Sequence, residues 1–264
     1  MQPDNHNLTC RVTALVSVGR HPESGRARRA EQDARAVEMG MGLSCYGLEV
    51  LHAGDPAAEA LRSYAGMGVP WLRVLAIGEE DDAVAALGDY LRGRDPDIIL
   101  TGGRAESGES SGMLPFLLGE ALGIPVVTGV ADIVSLNDKE ASVLQALPRG
   151  QRRALRVSLP FIASVDMAAP APRQNALGPA ARARIDIEDN VCREADEARQ
   201  AWQEEPARPR PKRLKVVKAK TAADRFRAAT AKSQSAGGRV LRDKPACEMA
   251  QAIFDLLLEE GVVR

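Results

Sequence analysis

A loop rich in glycine and serine lies near the middle of the sequence, and its residue types suit the binding of an anion. Residues 98–100 are apolar, Gly102 and Gly103 follow them, and Ser110 and Ser111 stand just before a helical pattern. Glycines let a ligand approach the backbone, while hydroxyls and the N–H groups at a helix start donate hydrogen bonds to phosphate. The spacing matches neither GxGxxG nor GxxxxGK followed by Ser or Thr, so a serine cap after a flexible turn is an equal alternative to a phosphate site.

The segments around this loop alternate between strand-like and helix-like patterns, which predicts an α/β fold with an open parallel sheet. Ligands of such sheets bind beyond the carboxyl ends of the strands, which is where the loop lies. Strands are predicted at residues 12–18, 48–52, 71–77 and 97–100, and helices at 28–42, 56–68, 81–92 and 112–123. Residues 140–147 and 153–159 are predicted as an antiparallel pair or as edge strands.

The character of the chain changes after Asp166. Residues 167–184 are rich in Ala, Pro and Arg, which predicts an exposed, ordered loop, because the prolines forbid a long helix. Residues 186–204 have the composition of a charged helix, whereas 206–236 are too poor in apolar residues to fold alone. Residues 244–261 place apolar side chains on one helical face, which must pack on the chain's own domain or on a partner.

Composition and charge narrow the classes of protein that fit. The chain has 264 residues, 45% of them hydrophobic, which is enough for one domain with an extension. Its formal net charge of -1 gives no general reason to expect nucleic-acid or membrane binding. Residues 206–234 carry ten basic residues against one acid, but Phe226 is the single aromatic among them, so an arm on an acidic partner is favoured over a nucleic-acid site.

The cysteines and the N-terminus bear on location. The 4 cysteines are far apart and form no CxxC pair, which argues against a zinc site and favours reduced thiols in the cytosol. The N-terminal residues do not have the pattern of a signal peptide, and no apolar run approaches the length of a membrane span. We therefore expect a cytoplasmic protein without direct membrane insertion.

The sequence contains no set of residues with the types and spacing of a recognisable catalytic site. His6, His21 and His52 have no partners at the spacing of a nucleophile–histidine–acid set, and residues 79–82 read as an acidic helix start. No catalytic residue and no metal site is predicted.

Several segments in a fixed order carry a resemblance to a known family. They are LVSVGR at 15–20, GDPAAEALRSYAGMGVPWLRVL at 54–75, DIILTGGRA at 97–105, SSGMLP at 110–115, LGIPVVTGVADI at 122–133 and LRVSLPFIASVDMAAPAPRQNALGPAARAR at 155–184. Their order and spacing resemble the β subunit of electron-transfer flavoproteins, over most of the chain.

The resemblance implies a Rossmann-like domain of the adenine-nucleotide-hydrolase type over residues 1–184. It also implies that residues 185–264 form an extended C-terminal arm and a terminal helix on the α subunit, which carries most of the contacts to FAD. The family's β subunit usually binds a structural AMP. The matching contacts, for binding and not for catalysis, would be Ser17, Gly54, Gly102, Gly103, Arg104, Ala105, Ser110 and Ser111.

The family docks on its dehydrogenases through the segment that matches residues 167–184. Leu177 matches the anchoring leucine, and Arg182 and Arg184 lie where the family has a lysine-rich run. The chain also departs from the family: its glycine-serine loop is two residues shorter, and Arg104 stands where glutamine is usual. ARRAE at 27–31 replaces the usual N-P-F-C-E.

The function implied is that of an electron carrier subunit without substrate chemistry of its own. It would accept electrons from a soluble dehydrogenase and pass them through FAD to a quinone oxidoreductase or another acceptor. A stand-alone adenine-nucleotide-binding regulator of the universal-stress type is the alternative, because it would share the sheet and the loop. An adenine-nucleotide hydrolase or ligase would need a catalytic base or a loop such as SGGxDS, which the sequence lacks.

Overall fold

The computed structural model describes residues 10–43, 47–106, 110–203, 205–206, 221–223, 226, 241–242 and 244–259. The chain divides into two compact units, Met1–Trp202 and Gln203–Arg264. Ser107, Gly108 and Glu109 of the glycine-serine loop, His6, and most of the basic segment lie outside the described residues.

The first unit is built on a nine-stranded sheet. Its strands are β1 Val12–Leu15, β4 Leu48–Gly54, β5 Trp71–Ala76, β6 Ile98–Gly102, β7 Val126–Leu136, β8 Glu140–Ala146, β9 Arg152–Ser158, β10 Phe161–Val165 and β11 Arg184–Glu188. Their order in the sheet is β11-β5-β4-β1-β6-β10-β7-β8-β9. A separate antiparallel pair consists of β2 Val18–Arg20 and β3 Ala27–Arg29. All pairings from β11 to β7 are parallel, and β7, β8 and β9 pair antiparallel. The predicted open α/β sheet of the Rossmann-like kind is confirmed.

Helices cover both faces of the parallel strands. They are α1 Glu31–Gly42, α2 Leu61–Ala65, α3 Ala83–Arg92, α4 Leu114–Leu122, α5 Leu177–Arg182 and α6 Glu197–Gln200. Residues of α1 and α2 belong to one buried cluster, and residues of α3 and α4 belong to a second. The strands β1, β6 and β10 are buried along their whole length, which is why they read as continuous apolar runs.

The direction of strand addition reverses beside β1. The next strands of the sheet in sequence, β4 and β5, lie on one side of β1, whereas β6, β10 and β7 lie on the other. The carboxyl ends of β1 and β6 therefore flank the switch point of the sheet, where open α/β proteins place their ligands.

Three sequence predictions were wrong in detail. Residues 12–18 do not form one strand, because β1 ends at Leu15 and the chain turns into the β2–β3 pair. The helix predicted at 56–68 is limited to Leu61–Ala65. The charged helix predicted at 186–204 is replaced by the edge strand β11 and the short α6.

An apolar contact and an ion pair with β5 stabilise β11 at the edge of the sheet. Ile185 packs against the core beneath β5, and Arg73 of β5 pairs with Glu188 at 3.2 Å. The same guanidinium lies 3.4 Å from the Glu49 carboxylate of β4, so one cation links three neighbouring strands. The predicted domain boundary at residue 184 stays a prediction, although β11 continues the sheet of the first unit beyond it.

The second unit contains a C-terminal helix, Ala246–Glu259, within the range predicted to be helical. None of its residues is buried, and Ile253, Phe254, Leu256 and Leu258 are among the exposed large hydrophobic side chains. In the described parts of the chain, no helix is long and apolar enough to cross a membrane.

Candidate functional site

One carboxylate of α1 binds the backbone at the ends of both β1 and β6. The Ser17 N–H and the Ser17 hydroxyl donate to Oδ2 of Asp33 at 2.8 and 2.6 Å, and the Gly102 N–H donates to Oδ1 at 3.1 Å. Asp33 is only 5% exposed. Burial raises the pKa of its carboxyl to about 6, although the hydrogen bonds from Ser17 and Gly102 oppose the rise. Three donors thus hold an ionised group at the switch point at neutral pH.

Glycines allow α1 to approach β6 this closely. A Cβ atom on Gly102 would lie 2.2 Å from Oδ1 of Asp33, and one on Gly103 would lie 2.9 Å from Oε1 of Gln32. That same Gln32 oxygen accepts a hydrogen bond from the Arg104 N–H at 3.1 Å. The first turn of α1 therefore closes over the carboxyl end of β6.

A second carboxylate, that of Glu106, caps the start of α1. It accepts from the Glu31 N–H at 2.8 Å and pairs with the Arg28 guanidinium at 3.0 Å. A carboxylate in this position satisfies an otherwise unpaired N–H and complements the helix dipole. A Cβ on Gly19 would lie 2.5 Å from Oε2 of Glu106, so β2 also packs tightly on this group.

Tyr64 of α2 completes the buried polar cluster. Its hydroxyl donates to the Ser17 carbonyl at 2.8 Å and accepts from the Ala30 N–H at 2.8 Å. Burial raises the pKa of Tyr64 well above its usual range, so the phenol stays neutral and acts as both donor and acceptor.

The serines before α4 are engaged locally. The Ser111 hydroxyl accepts from the Met113 N–H at 3.0 Å, a local turn contact two residues along the chain and not a cap of α4. Gly112 has a φ of 80°, which favours glycine, and a Cβ there would lie 2.9 Å from the Gly103 carbonyl oxygen. Ser110 also has a positive φ, of 53°. The loop therefore returns onto the backbone that follows β6.

Gly54 lies apart from the other predicted contacts. It ends β4, on the far side of β1 from β6, and lines a cleft of about 440 Å³ with Asp55, Gly78 and Arg193. A Cβ on Gly54 would lie 2.7 Å from Nε2 of His52, whose Nδ1 is 2.8 Å from the Val16 carbonyl oxygen. The structure thus gathers Ser17 and residues 102–105 at the switch point and leaves Gly54 at a neighbouring strand end.

The residues at the switch point do not fit the phosphate of AMP. The N–H groups of Ser17, Gly102 and Arg104 already donate to side chains of α1, and two carboxylates, of Asp33 and Glu106, lie where an anion would be held. The roles of Gln32 and Asp33 were missed by the sequence reasoning. The available signal was an acid on the buried face of α1, beside Ala34, Ala36 and Val37.

The segment that precedes α5 is hydrogen-bonded to α1, to β3 and to Gly66 at the end of α2. The Arg173 guanidinium binds both carboxylate oxygens of Glu38 at 2.8 Å, and the Arg173 carbonyl accepts from Arg29 at 2.8 Å. This ion pair lowers the pKa of Glu38. The Ala176 N–H donates to the Gly66 carbonyl at 2.9 Å. Of the loop predicted at 167–184, residues 167–176 contain neither helix nor strand, whereas Leu177–Arg182 form the six-residue helix α5 and Arg184 begins β11.

That segment presents Leu177 to solvent. Leu177 is 86% exposed, more than any other large hydrophobic side chain in the described part of the chain. Arg182 lies against Gly178, where a Cβ would be 3.2 Å from Nη1, and the Arg184 side chain is largely exposed beside Asp186. The three residues predicted to dock on a partner thus lie on α5 and at the start of β11.

Among the residues that the structure describes, no three His, Cys, Asp or Glu side chains group in a way that could hold a metal ion. The fold defines an open α/β protein of the Rossmann-like class, with a buried polar cluster at the switch point of its sheet.

Comparison with known proteins narrows the class to a family. No protein-family model matches the chain. The chain is 49% identical over 269 aligned positions to the electron transfer flavoprotein subunit beta of Chromohalobacter salexigens, and the alignment covers 100% of each chain. The chain therefore belongs to the family of electron-transfer flavoprotein β subunits.

Proposed function

We propose that this chain is the β subunit of a heterodimeric electron-transfer flavoprotein. It accepts electrons from a soluble dehydrogenase and passes them, through FAD held mainly by the α subunit, to a quinone oxidoreductase or another acceptor. The flavin supplies the redox chemistry, and this chain positions it and recognises partners without acting on a substrate itself. The proposed location is the cytoplasm.

The observation that carries this proposal is the 49% identity to a curated β subunit along the whole chain. The exposed apolar residues of the C-terminal helix also support it, since such a helix gains stability when a second chain covers it. A stand-alone regulator of the universal-stress type accounts for the sheet but not for this helix or for the identity beyond the sheet.

The proposed docking surface for the dehydrogenase consists of Leu177 and Arg182, which begin and end α5, and of Arg184, which begins β11. A single exposed leucine on a rigid segment suits a partner's apolar pocket, because little conformational entropy is lost on binding. The exposed guanidinium of Arg184, together with that of Arg182, would steer an acidic partner and sustain the fast, weak association that electron shuttling requires. We leave out of this proposal the AMP contacts that the resemblance implies, because the backbone donors at the switch point already have acceptors.

Coexpression with the α subunit tests the proposal. We expect a yellow heterodimer that releases about one FAD per pair after acid extraction, and whose flavin is reduced by a dehydrogenase of the same cell. A colourless pair, or a chain that remains monomeric when the α subunit is present, would contradict the proposed function.

A further inference from the structure

We propose that the Asp33 carboxylate is a built-in anion at the switch point of the sheet, and that this subunit holds no AMP phosphate between β1 and β6. The inference goes beyond the proposed function and relies on it only for the choice of the heterodimer as the test protein.

The hydrogen-bond donors at the switch point already have an acceptor within the chain. An adenylate phosphate at a switch point is held by backbone N–H groups at neighbouring strand ends. Here the Ser17 N–H after β1 and the Gly102 N–H at the end of β6 both donate to Asp33, at 2.8 and 3.1 Å. The Ser17 hydroxyl also donates a hydrogen bond to the same carboxylate, at 2.6 Å. A covalently attached acceptor satisfies these donors permanently, so a phosphate would have to displace it.

The space between α1 and β6 at the switch point is too small for a phosphate group. A single Cβ on Gly102 would collide with Asp33 at 2.2 Å, and a Cβ on Gly112 would approach the Gly103 carbonyl to 2.9 Å. A phosphate group is larger than a methyl group. Among the residues that the structure describes, the close packing of α1 on β6 therefore leaves no room for a phosphate without a movement of α1.

The negative charge already present at the switch point also opposes the binding of a phosphate. Asp33 and Glu106 bring two carboxylates to this place, and the Arg28 guanidinium is 3.0 Å from Glu106 and partners it. A phosphate carries a further charge of about -1.5 to -2, and repulsion between close anions is strong where water is largely excluded. Because Arg28 balances Glu106, the charge that a phosphate would meet is that of the buried Asp33 carboxylate, which has the same sign as the phosphate.

Nucleotide extraction from the wild-type heterodimer is the direct test. We expect FAD and no AMP in the acid extract, and no change in Tm when AMP or inorganic phosphate is added at about 1 mM. Asp33→Ser removes the carboxylate and frees the N–H groups of Ser17 and Gly102. That variant should gain a Tm increase of about 2–4 °C from either anion, as expected for a ligand that binds only the folded state. Glu120→Gln, an exposed change on α4, is the control and should behave as the wild type.

The outcomes separate the two proposals. Near-stoichiometric AMP in the wild-type extract, a wild-type Tm raised by AMP, or an Asp33→Ser protein that folds but gains no response to either anion would overturn the inference. If Asp33→Ser does not fold, the wild-type extract and the wild-type titration decide the question. An extract without FAD and without AMP would contradict the proposed function while supporting the role of Asp33.

Discussion

At the scale of single residues, Asp33 is the side chain whose environment differs most from what its type suggests. An aspartate that is 5% exposed carries a desolvation cost, which the three hydrogen bonds from Ser17 and Gly102 offset only in part. Because burial outweighs these bonds, the pKa of Asp33 rises to about 6. Ionisation of the folded protein at this site therefore occurs at higher pH than ionisation of the unfolded chain.

The raised pKa predicts how stability depends on pH. Between about pH 4 and pH 6 the folded chain retains the Asp33 proton that the unfolded chain has released, so the free energy of unfolding falls as the pH rises through this window. From pH 4.5 to 7.5 the fall is about 2 kcal/mol, at 1.36 kcal/mol for each pKa unit. Asp33→Asn has no ionisable group at this position, so its free energy of unfolding lacks this fall. The free energy of unfolding of the wild type minus that of the variant should therefore decrease by about 2 kcal/mol from pH 4.5 to 7.5.

Urea unfolding of the heterodimer at several pH values measures this difference. Glu120→Gln is the matched control, and its difference from the wild type should stay constant. A constant difference for Asp33→Asn as well would mean that Asp33 ionises normally.

Leu177 carries a prediction about recognition. Leu177→Ala should raise the KM of the dehydrogenase for the flavoprotein by about tenfold, since loss of a buried hydrophobic anchor costs about 1–2 kcal/mol of binding. The Tm should not change, because the side chain is 86% exposed. Val134→Ala, at a side chain 61% exposed on β7, is the control for a general loss of surface apolarity. An unchanged KM for Leu177→Ala would place docking elsewhere.

At the scale of elements, the contact of α1 with β6 is the closest packing in the candidate site. It requires a residue without a side chain at Gly102, since a Cβ would be 2.2 Å from Oδ1 of Asp33 and 3.0 Å from the Cβ of Gln32. The helix cannot move away without breaking the hydrogen bonds that join it to both strand ends. The element contact and the residue cluster therefore depend on each other.

Gly102→Ala should consequently destabilise the protein by about 2–3 kcal/mol, the range for overpacking a rigid interior. Gly42→Ala is the comparison, because Gly42 ends α1 with no atom within 4 Å of a Cβ position, and alanine favours helix. Thermal unfolding of both variants should show a loss for the first and no loss, or a gain, for the second. Equal stabilities would show that α1 can shift at low cost.

At the scale of the whole molecule, the chain contains one unit with a complete core and one unit with exposed apolar surface. The first unit, Met1–Trp202, holds all nine strands of the sheet. In the second unit, Phe254 is 47% exposed and Leu258 is 45% exposed on the same side of the C-terminal helix. We expect the α subunit to cover this face.

Joint substitution Phe254→Ser and Leu258→Ser should therefore weaken association with the α subunit by at least about tenfold, which is 1.4 kcal/mol. The Tm of the isolated β chain should remain unchanged, since no residue of this helix is buried within the chain. Gln251→Ala, an exposed change on the same helix, is the control. Sedimentation of mixtures at several concentrations gives the affinities, and an unaltered affinity of the double variant would contradict the expected coverage.

The sequence alone was sufficient for the fold class, for the family and for most of the strands. Strands buried on both faces, such as Ile98–Gly102, are continuous apolar runs, and this local signal survives whatever packs around them. The largely exposed segment before Leu177, which contains no helix, was also predictable, because proline limits the backbone locally.

Tertiary structure alone decided the strand β11 and the interior of the candidate site. Residues 186–204 have a charged, helix-like composition, but Ile185 and Arg73 make 184–188 more stable as a sheet edge, through contacts with residues more than a hundred positions away. In the same way, the local sequence pattern predicts that the glycine N–H groups at the end of β6 can bind an anion. In the fold, however, the Asp33 carboxylate of α1 accepts the hydrogen bond from Gly102. Which groups meet at a switch point depends on the long-range placement of the helix, and no local pattern encodes that distance.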